Sequence, residues 1–339
     1  MTGRDLAEQQ AMELVNLVKN PVPSGGMAGH FQGFDGAPLR YAVWPATRRP
    51  SHGTICLFNG RTEFIEKYFE VIADLRRRGF SVATMDWRGQ GGSVRELPNR
   101  QKGHISSFTD YDRDLVRFMK DVVLPDCPPP YIALAHSMGG NIALRAARMT
   151  DSWFERMVVL APMVALHPAS LGVPTFAARL YTGAASLLGG ATRFVRGGSE
   201  DVIQSMPYEN NPLTSDRRRF ERAKLILEAA PELSVGAPTN GWLHAAFRSM
   251  DEISAARYPL DVRVPILFIV AGEDRIVLPE AIENLSVSLK VGTNVVLPHA
   301  EHEVLMERDA IRQQFWAAFD AHLGCGPYEE RDDRPDASN

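Results

Sequence analysis

The chain has 339 residues, too many for one small domain and suited to a single large α/β domain with an insertion. Its 45% hydrophobic and 23% charged residues are those of a globular protein with a sizeable core, and a net charge of −4 gives no electrostatic footprint for nucleic acid. Cys56, Cys127 and Cys325 lack metal-ligand spacing, and their odd number argues against a disulfide framework, so a reducing compartment is expected.

Residues 1–10 are polar and mixed in charge, so no secretory signal is read there. No apolar stretch reaches the roughly 18 residues that a spanning helix needs. A cytoplasmic location is expected, with contact at the inner face of the membrane left open.

Helical spacing of Leu6, Leu14, Leu17 and Val18 predicts a helix over 6–19, broken by Pro21 and Pro23, with residues 1–29 forming this helix and a linker. Residues 30–44 read as a hairpin around Asp35-Gly36. From Thr54 the rhythm becomes strand, loop, helix. Strands are expected at 54–58, 81–85, 131–135 and 157–161, with helices at 63–78, 106–123 and from Asn141. After a lapse from 163 to 258 the rhythm resumes, with strands at 265–271 and 294–297 and helices at 279–290 and 308–323. Short apolar strands alternating with amphipathic helices predict an α/β fold with a mostly parallel central sheet covered on both faces. Residues 30–162 and 259–323 form the expected core, 163–258 an irregular helical cap, and 324–339 an acidic tail expected to be disordered.

The most specific signal is Ala135-His136-Ser137-Met138-Gly139-Gly140, which follows an apolar strand and opens a helix. A serine on such a sharp turn projects its hydroxyl above the sheet edge, and small flanking residues relieve the crowding. The helix that begins there aims free N–H groups at the same point. A serine hydroxyl needs a base, and the partners of such a serine follow in later strand-end loops in the order acid, then histidine. Asp274, just past the strand 265–271, is the candidate acid, with Glu273 as fallback. His302 is the candidate base over His299 because it lies deeper in the loop before the last helix. His136 is read as a packing or pocket residue. Backbone N–H groups of Met138 and Arg61 are the expected oxyanion donors, with Gly60 allowing the tight turn that presents Arg61. The segment from Asp86 to Ser93 lacks the glycine spacing of a dinucleotide fingerprint and the lysine of a P-loop. No cofactor and no metal are expected.

These motifs, with Asn59-Gly60-Arg61-Thr62-Glu63, Asp86-Trp87-Arg88-Gly89-Gln90-Gly91-Gly92-Ser93 and Gly103-His104, resemble the monoacylglycerol lipase and bacterial lysophospholipase branch of the α/β-hydrolases. The likeness runs from about residue 30 to 322. It implies a serine esterase acting on mono-acyl lipids, with a helical cap that shapes an acyl pocket, and it supports His302 over His299. Asn59 departs from the family's usual His, and Ala135 from its frequent Gly or Ser; each bears on the oxyanion loop. Asp86, Arg88 and Glu63 are expected to hold the active-site loops by hydrogen bonds. In the cap, Phe176, Leu180, Leu187 and Leu188 are candidates for the acyl pocket, or equally for the underside of the cap. Gly189-Gly190 and Gly197-Gly198 are candidate flexible points. Arg217-Arg218-Arg219 reads as a solvated helix face rather than a phosphate site. A short-chain carboxylesterase or thioesterase is the alternative activity, and a non-catalytic ligand-binding protein the alternative class. A dehalogenase or epoxide hydrolase would need Asp where Ser137 stands. The expected partner is a small acyl ester; oligomeric state is left open.

Overall fold

The computed structural model describes residues 14–149, 152–201 and 206–325. An eight-stranded sheet runs through the molecule in the order β1-β2-β4-β3-β5-β6-β7-β8. β1 (Met27–Gln32) and β2 (Pro38–Trp44) form the expected hairpin, and β2 is antiparallel to β4 (Ser81–Met85). The remaining pairs, from β4 through β3 (Thr54–Phe58), β5 (Tyr131–His136), β6 (Phe154–Leu160) and β7 (Ile266–Ala271) to β8 (Gly292–Leu297), are parallel. Every residue of β3, β4 and β7 is buried, which is why their sequences are unbroken apolar or small runs rather than alternating ones.

Helices α1 (Phe69–Arg77), α2 (Phe108–Phe118) and α3 (Ser137–Ala146) cover the first half of the sheet. The helix expected from Glu63 starts later, because a 3₁₀ turn occupies Ile65–Tyr68. There the Ile65 N–H is taken by Asp86 Oδ1 at 3.0 Å, a tertiary bond replacing a helical start. Between β6 and β7 lie α4 (Thr175–Leu187), α5 (Arg217–Ala229) and α6 (Asn240–Ile253). α6 is no mere cover: Ala246, Phe247, Met250 and Ile253 join the main core, and its Ser249 donates to Asn141 of α3 at 2.6 Å. α7 (Pro279–Ser288) and α8 (Asp309–Leu323) complete the second half.

The helix expected over 6–19 is absent from its described part. Residues 14–20 instead run irregularly, with Leu17 and Asn20 in an isolated bridge. Tertiary contacts outweigh the helical spacing: Asn20 Nδ2 donates to the Glu66 carbonyl at 2.9 Å, and Val15 and Leu17 pack on the cluster that joins Phe64, Ile226, Leu227, Ala230 and Leu233. Residues 1–13 lie outside the described residues, as does the tail beyond Cys325.

The chain moves outward from β3 to β4, then returns to the other side of β3 as β5. Open parallel sheets form a crevice at such a reversal, beyond the C-terminal ends of the strands. Ser137 stands there.

Candidate active site

Ser137 sits where β5 gives way to α3, with φ of +51°, a left-handed conformation rare outside glycine. Crowding explains the small residues around it. A Cβ on Gly139 would lie 2.5 Å from the Asn59 carbonyl oxygen, and one on Gly140 would lie 2.9 Å from Pro162. At position 135 the extra methyl group is accommodated, since Ala135 is fully buried in β5.

Asp274 and His302 converge on this serine. Asp274 Oδ1 accepts the N–H groups of Ile276 (2.7 Å) and Val277 (3.0 Å), which pins the carboxylate. Its Oδ2 accepts from His302 Nδ1 at 2.7 Å, which leaves Nε2, 2.9 Å from Ser137 Oγ, as the proton acceptor. Burial raises the Asp274 pKa, but His302 and the two backbone donors outweigh it and hold the carboxyl below its ordinary range. The three side chains are buried. The competing residues are elsewhere: His299 and Glu273 face each other at 3.3 Å with their side chains 78% and 59% exposed.

The loop after β3 is held by Glu63, which is 2% exposed. Its Oε2 accepts from the Gly60 N–H, from Tyr68 Oη at 2.7 Å and from His136 Nδ1 at 2.9 Å, while Oε1 accepts from Lys67 Nζ at 2.8 Å. Lys67 also donates to Glu303 at 2.5 Å, next to His302. His136 Nε2 faces the His302 carbonyl oxygen at 3.0 Å. A carbonyl only accepts, so Nε2 carries a proton, and the carboxylate on the other side requires one on Nδ1: the ring is an imidazolium. Burial opposes that charge, but Glu63 prevails and raises the His136 pKa; Lys67 and His136 in turn depress that of Glu63 against its own burial.

Other sequence candidates take distinct places. The Gly60 N–H is spent on Glu63, so this residue presents no donor to a substrate. Nor is Gly60 there for a left-handed turn, which falls on Thr62 (φ +65°). It is glycine because a Cβ would lie 2.8 Å from Glu63 Oε2 and 3.1 Å from Ser137 Cβ. Asn59 turns away from the cavity and braces the loop through Met85 O (3.1 Å) and Gln90 Nε2 (3.2 Å). Asp86 binds the N–H groups of Ile65 and Gly92 and the side chain of Arg40. Arg88 is more remote, tying Asp35 of the hairpin to Asp114 of α2 rather than holding an active-site loop. Arg219 is committed to Glu70, Asp216 and Asp309, so it is neither solvated nor open to a phosphate. Lys67 stands in no motif, and Glu303 carries no sequence signal beyond its place beside His302; the spacing of Glu63 and Lys67 at i,i+4 is the one local signal for half of that network.

Ser137, His302, Met138 and Arg61 line a cavity of about 1110 Å³, with Met163, Leu171, Leu213, Val235 and Leu243 among its walls. The acyl-pocket candidates fail here. Phe176, Leu180, Leu187 and Leu188 are 68–89% exposed, and α4 instead presents Ala177, Ala178, Tyr181 and Thr182 to the cavity. α4 lies against α6, where Gly183 and the neighbouring small residues admit close approach near His244, and this turns its bulky residues outward. No group of side chains able to hold a metal ion occurs among the described residues.

The family model described as serine aminopeptidase, S33, matches residues 49–309. Lysophospholipase L2 of Escherichia coli is 30% identical over 294 residues, covering 83% of each chain. A monoglyceride lipase from Saccharomyces cerevisiae superposes with a TM-score of 0.68 over 89% of this chain and 97% of its own, at 18% identity. A thermostable carboxyl esterase from Bacillus coagulans gives 0.70 over 89% and 99%, at 19% identity. At such identities these two structures speak for the fold alone. With the sheet order, the serine turn and a family match over most of its length, the chain belongs to the S33 serine aminopeptidase-type family of α/β-hydrolases.

Proposed function

We propose that this protein is a carboxylic ester hydrolase acting on mono-acyl lipids, monoacylglycerols or lysophospholipids, through an acyl-enzyme on Ser137. The observation that carries the reading is the hydrogen-bonded series Asp274, His302, Ser137 opening on a large, mostly apolar cavity. Relatives named lysophospholipase and monoglyceride lipase support the same substrate class.

His302 Nε2 takes the Ser137 proton as Oγ attacks the ester carbonyl, and Asp274 stabilises the imidazolium that forms. The N–H of Met138 stands in the first turn of α3, where helical N–H groups have no intrahelical partner, and serves as one oxyanion donor. The N–H of Arg61, held in place by Gly60 and Glu63, serves as the other. Collapse of the tetrahedral species expels the alcohol with the proton from His302, and water then releases the fatty acid by the same route. The acyl chain occupies the apolar cavity beneath the 163–258 segment, which acts as its cap.

Phe176, Leu180 and Leu187 follow i,i+4-type spacing on the outside of α4, directly behind the residues that line the cavity. An exposed apolar stripe of this kind suits contact with a lipid surface, from which a mono-acyl substrate would enter. No helix among the described residues is long and apolar enough to cross a membrane.

The test is hydrolysis across a panel running from short nitrophenyl esters and acyl thioesters to long-chain monoacylglycerols and lysophosphatidylcholine, with fluorophosphonate labelling alongside. Highest kcat/KM on long mono-acyl esters is expected. Preference for short esters or thioesters refutes the lipid assignment, and failure to label refutes the serine mechanism.

A further inference from the structure

Among the described residues, the charge of Arg61 at the cavity is left unanswered by the side chains around it. Among these residues the guanidinium makes one side-chain hydrogen bond, from Nη2 to the Gly236 carbonyl, and lies 5.3 Å from the Trp242 ring. Its Nε is buried without an acceptor among the described residues. Burial pulls the group down to about 10, and no carboxylate among the described residues pairs with it. The buried Arg40, Arg88, Arg145 and Arg219, by contrast, each hold one or more carboxylates. Nor can the acidic groups nearby serve. Glu63 and Glu303 are neutralised by Lys67 and His136, so that quartet closes on itself. A desolvated cation without a counter-ion is costly, and an anionic ligand removes that cost.

Position adds to charge. Arg61 adjoins Gly60, which packs against Ser137, and the part of Arg61 that stays accessible lines the catalytic cavity. Exposed Arg196 stands on the same cavity, as does Asp201, which accepts from Ser199. We infer that Arg61 is the specificity-determining residue for a phosphate-bearing leaving group: it receives the phosphate of a lysophospholipid, with Arg196 as a second cation at the rim. The planar guanidinium suits a phosphate oxyanion, which supplies the counter-charge that the side chain lacks. This rests on the mono-acyl ester reading above and narrows it to phosphate-bearing substrates.

The test compares kcat/KM for lysophosphatidylcholine and for a monoacylglycerol of the same acyl chain, in wild type, R61M and R61K. Any general effect of the loop on catalysis, including on the oxyanion N–H of Arg61, cancels in the ratio of the two, and the urea unfolding midpoint of each variant reports whether it is folded. A hydrogen bond to a charged group predicts that R61M lowers the lysophospholipid-to-monoacylglycerol ratio by about 10–100-fold, with R61K between the two. An unchanged ratio overturns the inference, whether both rates fall together or neither moves. Inorganic phosphate is the third arm: inhibition by it in wild type and not in R61M, with no preference for the phospholipid, reassigns the site to a free anion and overturns the headgroup. If wild type cleaves neither ester, the mono-acyl reading itself fails, and that result is distinct from a flat ratio.

Discussion

Glu63→Gln removes one negative charge from the buried quartet and leaves the shape of the side chain intact. The carboxylate is 2% exposed and accepts from Gly60, Tyr68, His136 and Lys67. An amide oxygen can still serve Gly60 and Tyr68, and Lys67 keeps Glu303 at 2.5 Å, but the His136 imidazolium loses its counter-ion. Removing one member of a buried pair costs about 3–5 kcal/mol, and the retained bonds put this case at the lower end, about 3 kcal/mol. Against a typical total of about 5–15 kcal/mol, that is readily measured by urea unfolding as a lower midpoint at constant m. The pH dependence carries a sign. Pairing raises the His136 pKa above 6.5, so its stabilisation is complete below 6.5 and fades as pH rises through the folded value; the lowered Glu63 pKa makes its share complete above 4.5 and lost on acidification. The gap between wild type and E63Q is therefore widest between those two values and narrows toward alkaline pH. A variant within about 0.5 kcal/mol of wild type at pH 6, or a gap that widens toward pH 9, refutes the imidazolium assignment.

Three further substitutions probe the reacting centre. Ser137→Ala should lower kcat by about 10⁶ and abolish fluorophosphonate labelling; retention of most activity rules out the serine mechanism. Asp274→Asn keeps the size of the side chain but offers His302 Nδ1 no anion, and turnover should drop about 10⁴-fold at neutral pH, read by steady-state ester hydrolysis. In Gly139→Ala the new Cβ would come 2.5 Å from the Asn59 carbonyl and 2.6 Å from that of Phe58, both rigid backbone. The expected result is a loss of at least about 2 kcal/mol in stability together with activity, and wild-type melting of this variant would contradict the packing at the turn.

Local chemistry alone determined much of this protein. The strands Thr54–Phe58 and Ser81–Met85 begin and end where unbroken apolar or small runs meet turn residues, and the Ser137 turn announces itself because a strand, a serine, tight glycines and a helix occur within a dozen positions. Loops at strand ends also narrowed the acid and base to Asp274 or Glu273 and His302 or His299. What the tertiary structure decided involves partners far apart in the chain. Lys67 and Glu303 are 236 positions apart, and no local pattern pairs them. Spacing along α4 reveals an apolar stripe but not what covers it; packing against α6 turned Ala178 and Thr182 inward and left Phe176 and Leu187 outside. In the same way, a periodic N-terminal segment yielded its helix near Leu17 to a hydrogen bond with Glu66. Helical and strand patterns are set within a few residues, whereas the face that is buried, and the charge that goes unpaired, are fixed only when distant segments meet.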